Sequence, residues 1–319
     1  MAQGYGLSET IMTSSLVALW TVTLAAAPVE TKWAQVAPVP RQAAAFERSP
    51  DRQRAVVLVQ GFRPHPFSNQ NVPKAVWDSW QKPASTLVET LAKDADVFAF
   101  AYGQNVAVDR IAGLDDLADN VRRLKQLGYA EIVLVGYSAG GLVARQFVED
   151  HPDAGVTKVV QVCSPNGGSC WAEARIFVRK SQEEFLDSLT KEGRRQCLAG
   201  RAGKTIPGNV EFVCLVGDLD AGVSVKASLD VGEGRTLGLA ASARQQGDGM
   251  VSSGCQWTPE LQEQGIPAVP LAIGHFRVMR SQDGANLIAQ LVREKQPRWT
   301  AGQVAEAKSK ILGSEAMRP

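Results

Sequence analysis

The chain has 319 residues, with 34 Lys and Arg against 33 Asp and Glu, giving a formal net charge of +1 with histidines neutral. Its 45% hydrophobic and 21% charged residues are ordinary globular usage and exclude a disordered or coiled-coil chain. Near-neutral charge without a long Lys or Arg run argues against nucleic acid or an anionic membrane as main partner. The length suits one large α/β domain or two small ones.

Residues 1–50 read as an N-terminal extension. Residues 11–27 (IMTSSLVALWTVTLAAA) are mildly apolar and end in small residues, as a signal-peptide core and cleavage site would. No Lys or Arg precedes them, Ser and Thr dilute them, and they fall short of the roughly 20 apolar residues of a spanning helix. The pattern favours export or membrane association slightly over a cytoplasmic location, against the alternative of a surface helix. Residues 31–54 carry Pro38, Pro40 and Pro50 with little periodicity and read as linker.

From residue 55 strands and helices alternate. Residues 55–60 (AVVLVQ) form a β-branched run, the mark of a strand buried on both faces of a parallel sheet. Trp77, Trp80, Leu87 and Leu91 lie on a helical stretch interrupted near Pro83, and residues 96–102 (DVFAFAY) give the second strand. Leu114, Leu117, Val121 and Leu124 recur at three and four, predicting an amphipathic helix. Residues 131–136 (EIVLVG) give a third strand, followed after a tight turn by a helix over 142–148. Residues 156–163, 210–216 and 266–273 give three more strands, and 285–292 a closing helix. The expected fold class is α/β, a mostly parallel sheet with helices on both faces. The main domain is expected over 51–296, with an insert over 166–209 and a tail over 297–319. Residues 218–247, rich in Gly and Ala, show no clear period.

The five cysteines imply no disulfide framework, and no CxxC or CxxH spacing marks a zinc site. Cys163 and Cys214 read as small buried hydrophobes, whereas Cys170 and Cys197 would pair only in an exported protein.

The strongest chemical signal is Gly136-Tyr137-Ser138-Ala139-Gly140, a G-x-S-x-G that closes an apolar strand and opens a helix. That context is the one a nucleophile elbow requires. The glycines leave room for strand and helix to meet, and the serine hydroxyl stands at the positive end of the helix. An inert serine in a glycine-rich turn is the alternative.

On these residues the chain resembles the α/β-hydrolase fold and, within it, the lipase-like serine esterases. Residues 133–145 (VLVGYSAGGLVAR) look like their elbow. Residues 57–62 (VLVQGF) resemble their oxyanion loop, usually His-Gly-Phe or His-Gly-Leu, with Gln60 in place of the His. Residues 164–169 (SPNGGS) are similar to the Thr-Pro-His-x-Gly-Ser/Thr loop after the next strand, and the likeness runs from about residue 56 to 292.

An unionised serine needs an imidazole to take its proton, and only three histidines exist. His151 ends the elbow helix, far from its start. His65 lies between two prolines in the oxyanion loop and reads as pocket entrance. His275 follows the last strand, the position for the base in the chain order Ser, Asp, His. The orienting acid is expected at Asp248 in Gly-Asp-Gly-Met-Val-Ser, with Asp220 the competitor. The backbone N–H groups of Phe62 and Ala139 are expected to hold the oxyanion, together worth about 3 kcal/mol or more. Gln60 either adds a contact there or braces the loop.

The resemblance thus implies hydrolysis of a carboxylic ester, small-molecule or lipid, through an acyl-enzyme on Ser138. The apolar residues of the insert point to a hydrophobic acyl group under a lid, or to helices buried against the domain. No metal or organic cofactor is needed; a lipid interface is a compatible partner. Thioester hydrolysis and acyl transfer use the same groups. Peptidase activity and a non-catalytic binding role are rivals that an active-site probe and amide substrates separate.

Overall fold

The computed structural model describes residues 1, 28–39, 46–63, 74–175, 180–219, 224–230, 236–242 and 247–313, with strands 224–230 and 236–242 described by backbone alone. In chain order the elements are β1 (Thr31–Ala37), β2 (Arg54–Val59), α1 (Thr86–Leu91), β3 (Asp96–Tyr102), α2 (Val108–Ala112), α3 (Asp115–Gln126), β4 (Glu131–Tyr137) and α4 (Ala139–Asp150). β5 (Lys158–Val162), α5 (Cys170–Ala174), α6 (Glu183–Asp187), α7 (Lys191–Gly200) and β6 (Glu211–Gly217) follow. The chain continues with β7 (Ser224–Asp230), β8 (Thr236–Ser242), α8 (Ser253–Gln256), α9 (Pro259–Glu263), β9 (Ala268–Leu271), α10 (Gln282–Arg293) and α11 (Ala301–Ile311).

Seven strands form one sheet in the order β1-β3-β2-β4-β5-β6-β9, parallel throughout except for β1. The apolar runs at its centre are buried on both faces, and alternate residues feed different layers. Val57, Val59, Phe98, Phe100 and Leu134 pack with Leu117, Leu142 and Phe147 of α3 and α4. Val56, Leu58, Val97 and Val133 pack instead with Leu87 of α1 and Ile288 of α10. Each further strand extends a core that is covered from both sides.

Three segments differ from the sequence expectation. Residues 31–37, read as linker, are β1, antiparallel to β3, with Trp33 against Phe100 at a ring distance of 4.7 Å. The Trp33 indole N–H donates to Asp116 of α3 at 2.9 Å, so this edge strand is tied to a helix as well as to the sheet. Residues 301–311, read as tail, are α11; a Thr300–Gln303 capping box starts it and buried Ile311 anchors its end. Within residues 218–247 lies an antiparallel pair, β7 with β8. The apolar residues 11–27 lie outside the described residues, and no described helix is long and apolar enough to cross a membrane.

β4 and α4 meet at a turn that tolerates almost no side-chain bulk. A Cβ at Gly136 would fall 2.5 Å from the Gly140 oxygen and from the Gly141 Cα; one at Gly140 would strike the Val59 and Gln60 carbonyl oxygens. All these neighbours are backbone, so relief requires moving a strand or a helix. Gly140→Ala is therefore expected to lower stability by about 3 kcal/mol, the upper end of ordinary overpacking, in chemical unfolding. A loss below about 1 kcal/mol would mean that β2 and α4 are not held this close.

Candidate active site

Ser138 sits between β4 and α4 at φ 52°, ψ −124°, a conformation that non-glycine residues rarely adopt. Its N–H donates to the Val162 carbonyl at 2.8 Å, which fixes the turn to β5. The hydroxyl is held up at the start of α4 and meets His275 Nε2 at 3.1 Å. The other ring nitrogen, Nδ1, lies 2.6 Å from Asp248 Oδ2. Ser138, His275 and Asp248 all stay at or below 7% exposure, so the chain of contacts is shielded from bulk water.

Two loops deliver the imidazole and the carboxylate. The Asp248 loop is an irregular turn in which Gly249 takes φ 92°, a value suited to glycine. Asp248 Oδ1 accepts the Met250 and Val251 N–H groups at 2.9 and 2.8 Å, leaving Oδ2 to face the ring. The two loops also bond directly, His275 N–H to the Asp248 carbonyl at 2.9 Å. On the far side the Tyr137 hydroxyl donates to the His275 carbonyl at 2.9 Å. Burial pushes that phenol well above its usual range, so it stays a donor.

Next to this pair lies Cys163, fully buried at φ 53° just after β5. Its sulfur, an Asp248 oxygen and a His275 nitrogen lie within 4.8 Å of one another, a donor set that also suits a soft metal. Two of its three members already bond each other directly. Burial first, and the facing Asp248 charge second, push the thiol far above its ordinary range, so it is a neutral thiol.

The segment 60–63 passes alongside the serine: a Cβ on Gly61 would come 3.1 Å from Ser138 Cβ. Neither the Phe62 nor the Ala139 N–H has a backbone acceptor outside regular elements among the described residues. Gln60 braces rather than contacts the site: its side chain donates to the Val76 carbonyl at 2.7 Å and accepts the Tyr102 N–H at 3.2 Å.

A cavity opens over Ser138 and His275, about 550 Å³ including the space at its mouth. Phe62, Trp171, Leu186, Met250, Val251 and Phe276 supply much of its wall, and no Asp, Glu, Lys or Arg lines it among the described residues. The insert contributes Trp171 and Ala172 of α5, Leu186 of α6 and Leu189 just after it, and Leu186 and Leu189 are at the same time buried in the core with Phe185. Ile176 and Phe177 lie outside the described residues. Arg145 on α4 ties the region together: fully buried, it bonds Glu149 at 2.8 Å, Glu260 at 3.1 Å and Asn166 Oδ1 at 3.1 Å.

Of the remaining sequence candidates, His151 caps the far end of α4, about 20 Å from Ser138 at 1.5 Å per residue, and its ring lies tilted against Phe147. His65 and Asp220 lie outside the described residues. None of the five cysteines is in a disulfide; Cys197, considered as a partner for Cys170, accepts the Gln146 side-chain N–H at 3.1 Å instead. Sequence reasoning passed over Tyr137 and Cys163 as site neighbours. The first was visible as the residue before the serine, but nothing local marks the second.

A sequence model of the α/β-hydrolase fold matches residues 74–196. No curated protein sequence matches the chain. The mature form of the Bacillus licheniformis lipase BlEst2 is similar in structure, with a TM-score of 0.56 at 16% identity over 82% of this chain and 98% of that one. The propeptide form of the same lipase gives a TM-score of 0.57 at 14% identity over 85% of this chain, which spans 55% of that longer form. A metagenomic carboxyl esterase, MGS0156, gives 0.48 at 18% identity, over 88% of this chain and 82% of that one. The matching sequence model, the two BlEst2 likenesses and the sheet topology show the fold: this chain is an α/β hydrolase in architecture.

The cysteines give a direct check on the packing around Asp248. Ellman's reagent added to the native protein is expected to titrate exposed Cys170 first and to reach buried Cys163 and Cys214 only after unfolding. Rapid reaction of Cys163 in the native state would show that the Asp248 pocket is open to solvent.

Proposed function

We propose that the protein is a serine hydrolase that cleaves carboxylic esters with an apolar acyl group. The observation that carries this reading is the unbroken hydrogen-bond chain from Ser138 through His275 to Asp248, at 3.1 and 2.6 Å, beside an uncharged apolar cavity.

In this reading His275 Nε2 takes the Ser138 proton as Oγ attacks the ester carbonyl, and a tetrahedral intermediate forms. Asp248 holds the tautomer with the proton on Nδ1 and stabilises the imidazolium; its Oδ1, tied to two N–H groups, keeps the carboxylate from rotating away. The Phe62 and Ala139 N–H groups receive the oxyanion, and the start of α4 adds its positive pole. His275 then gives its proton to the leaving alkoxide. Water repeats the sequence on the acyl-Ser138 ester and releases the acid. The absence of charged lining residues among those described, together with the wall of Phe62, Trp171, Leu186 and Phe276, supports a neutral apolar acyl chain rather than a charged one.

A fluorophosphonate probe tests the nucleophile, and a panel of p-nitrophenyl esters tests the substrate. Wild type is expected to label and Ser138→Ala not to; failure of wild type to label would favour a binding protein instead. Ser138→Ala and His275→Ala should each lower kcat by about 10⁵- to 10⁶-fold with folding intact, as for groups that act as a unit. Asp248→Asn should lower it by about 10⁴-fold through the wrong tautomer. Asp220→Asn, His65→Ala and His151→Ala should each keep most activity. A strong effect of Asp220→Asn with a mild one of Asp248→Asn would move the acid role to Asp220. Aryl amides cleaved as fast as the esters would instead favour a peptidase.

A further inference from the structure

Buried side-chain amides surround the segment that carries the Phe62 N–H. Gln104, 1% exposed, bridges it: Nε2 donates to the Gly61 carbonyl at 2.7 Å, and Oε1 accepts the Arg63 N–H at 2.9 Å. Gln182, fully buried just before α6, donates from Nε2 to the Arg63 carbonyl at 2.9 Å and leans toward Gln104 Oε1 at 3.4 Å. The ring of Phe62 stacks on Phe185 of α6, centroids 5.8 Å apart.

The Gly61 carbonyl and the Phe62 N–H belong to one peptide plane. The only cis bond among the described residues is Ala37–Pro38, so this peptide is trans and its carbonyl and N–H point in opposite directions. Holding the carbonyl on Gln104 therefore aims the N–H away from Gln104. Glycine at 61 is required by the closeness of Tyr137, yet it removes the steric barrier that would keep the peptide from turning over. A turned peptide would set an N–H against the Gln104 NH₂ and a carbonyl where the N–H had been. Rotating the Gln104 amide to match would place its NH₂ against the Arg63 N–H and the Gln182 NH₂, both donors.

We infer that Gln104, held in one orientation by Gln182, is a positioning residue that fixes the direction of the Phe62 N–H toward Ser138. The insert thereby takes part in the reaction without touching substrate. The inference rests on the proposed role of that N–H in receiving the oxyanion.

The test is Gln104→Met, which roughly keeps the volume but offers neither a donor for the Gly61 carbonyl nor an acceptor for the Arg63 N–H. For p-nitrophenyl butyrate, kcat is expected to fall about 10²-fold, with KM within about threefold of wild type. Affinity for a trifluoromethyl ketone, which needs the oxyanion donors, should weaken by the same factor. Gln182→Met should give the same pattern at about tenfold, and serves if the first variant does not fold. An unchanged kcat in either folded variant, or a loss carried by KM with ketone affinity intact, would overturn the inference. A crystal structure of Gln104→Met separates this from failure of the hydrolase reading: a turned-over Gly61–Phe62 peptide supports the clamp whatever the turnover, and an unturned one contradicts it.

Discussion

Gly136, Gly140 and Gly61 have no side chains at the places where β4, the start of α4 and the end of β2 crowd together, and a Cβ on any of them would collide with backbone. This proximity forces Ser138 into a left-handed conformation that costs a non-glycine residue of order 1–3 kcal/mol. Burial of α4 on the central sheet offsets that cost: Ala139, Leu142, Val143, Phe147 and Val148 are all fully buried. The geometry that makes the turn strained also holds the hydroxyl at the start of α4, 3.1 Å from His275 Nε2. Strain and placement come from one packing constraint.

The rest of the molecule keeps that constraint from relaxing. The ends of the parallel strands carry the loops, so Ser138 follows β4, Cys163 follows β5, and His275 follows β9. Gly217, at the end of β6, leaves room for both Asp248 and Cys163, since a Cβ there would lie 2.8 Å from each side chain. Two of the arginines behind the site are compensated by carboxylates. Arg145 faces Glu149 and Glu260, and Arg201 joins Glu149 and Asp150 from the insert. Removing one partner of such a set leaves an uncompensated buried charge, which makes the insert hard to detach from the domain. Its helices therefore wall the cavity and support the core at the same time.

The sheet was legible because β2 to β6 are runs of β-branched and aromatic residues, and burial on both faces leaves exactly that trace in composition. Ser138 was legible from glycine spacing at a strand-to-helix junction. Chain order narrowed three histidines to His275 as the hydrogen-bond partner of the Ser138 hydroxyl, and Asp248, between two glycines, was preferred to Asp220, which lies outside the described residues. β1 was not legible, because one edge strand beside two prolines has neither alternation nor a long apolar run; its place is set by Trp33 on Phe100 and by Gln35 bonding Glu47. α11 was missed despite the Thr300–Gln303 signal, since its interior carries few buried residues. The glutamines around Phe62 join positions 41 to 119 residues apart, and a neutral amide has no period or motif to announce such pairing.

The central claim is that Ser138 becomes covalently acylated during turnover. Mixing the protein with excess p-nitrophenyl butyrate, quenching in acid within milliseconds and weighing the intact chain and its peptides measures this directly. The account predicts a butyryl adduct on the peptide that contains Ser138, formed at the rate of the p-nitrophenol burst and abolished in Ser138→Ala. Turnover with no adduct on that peptide, or with the adduct on another residue, would contradict it.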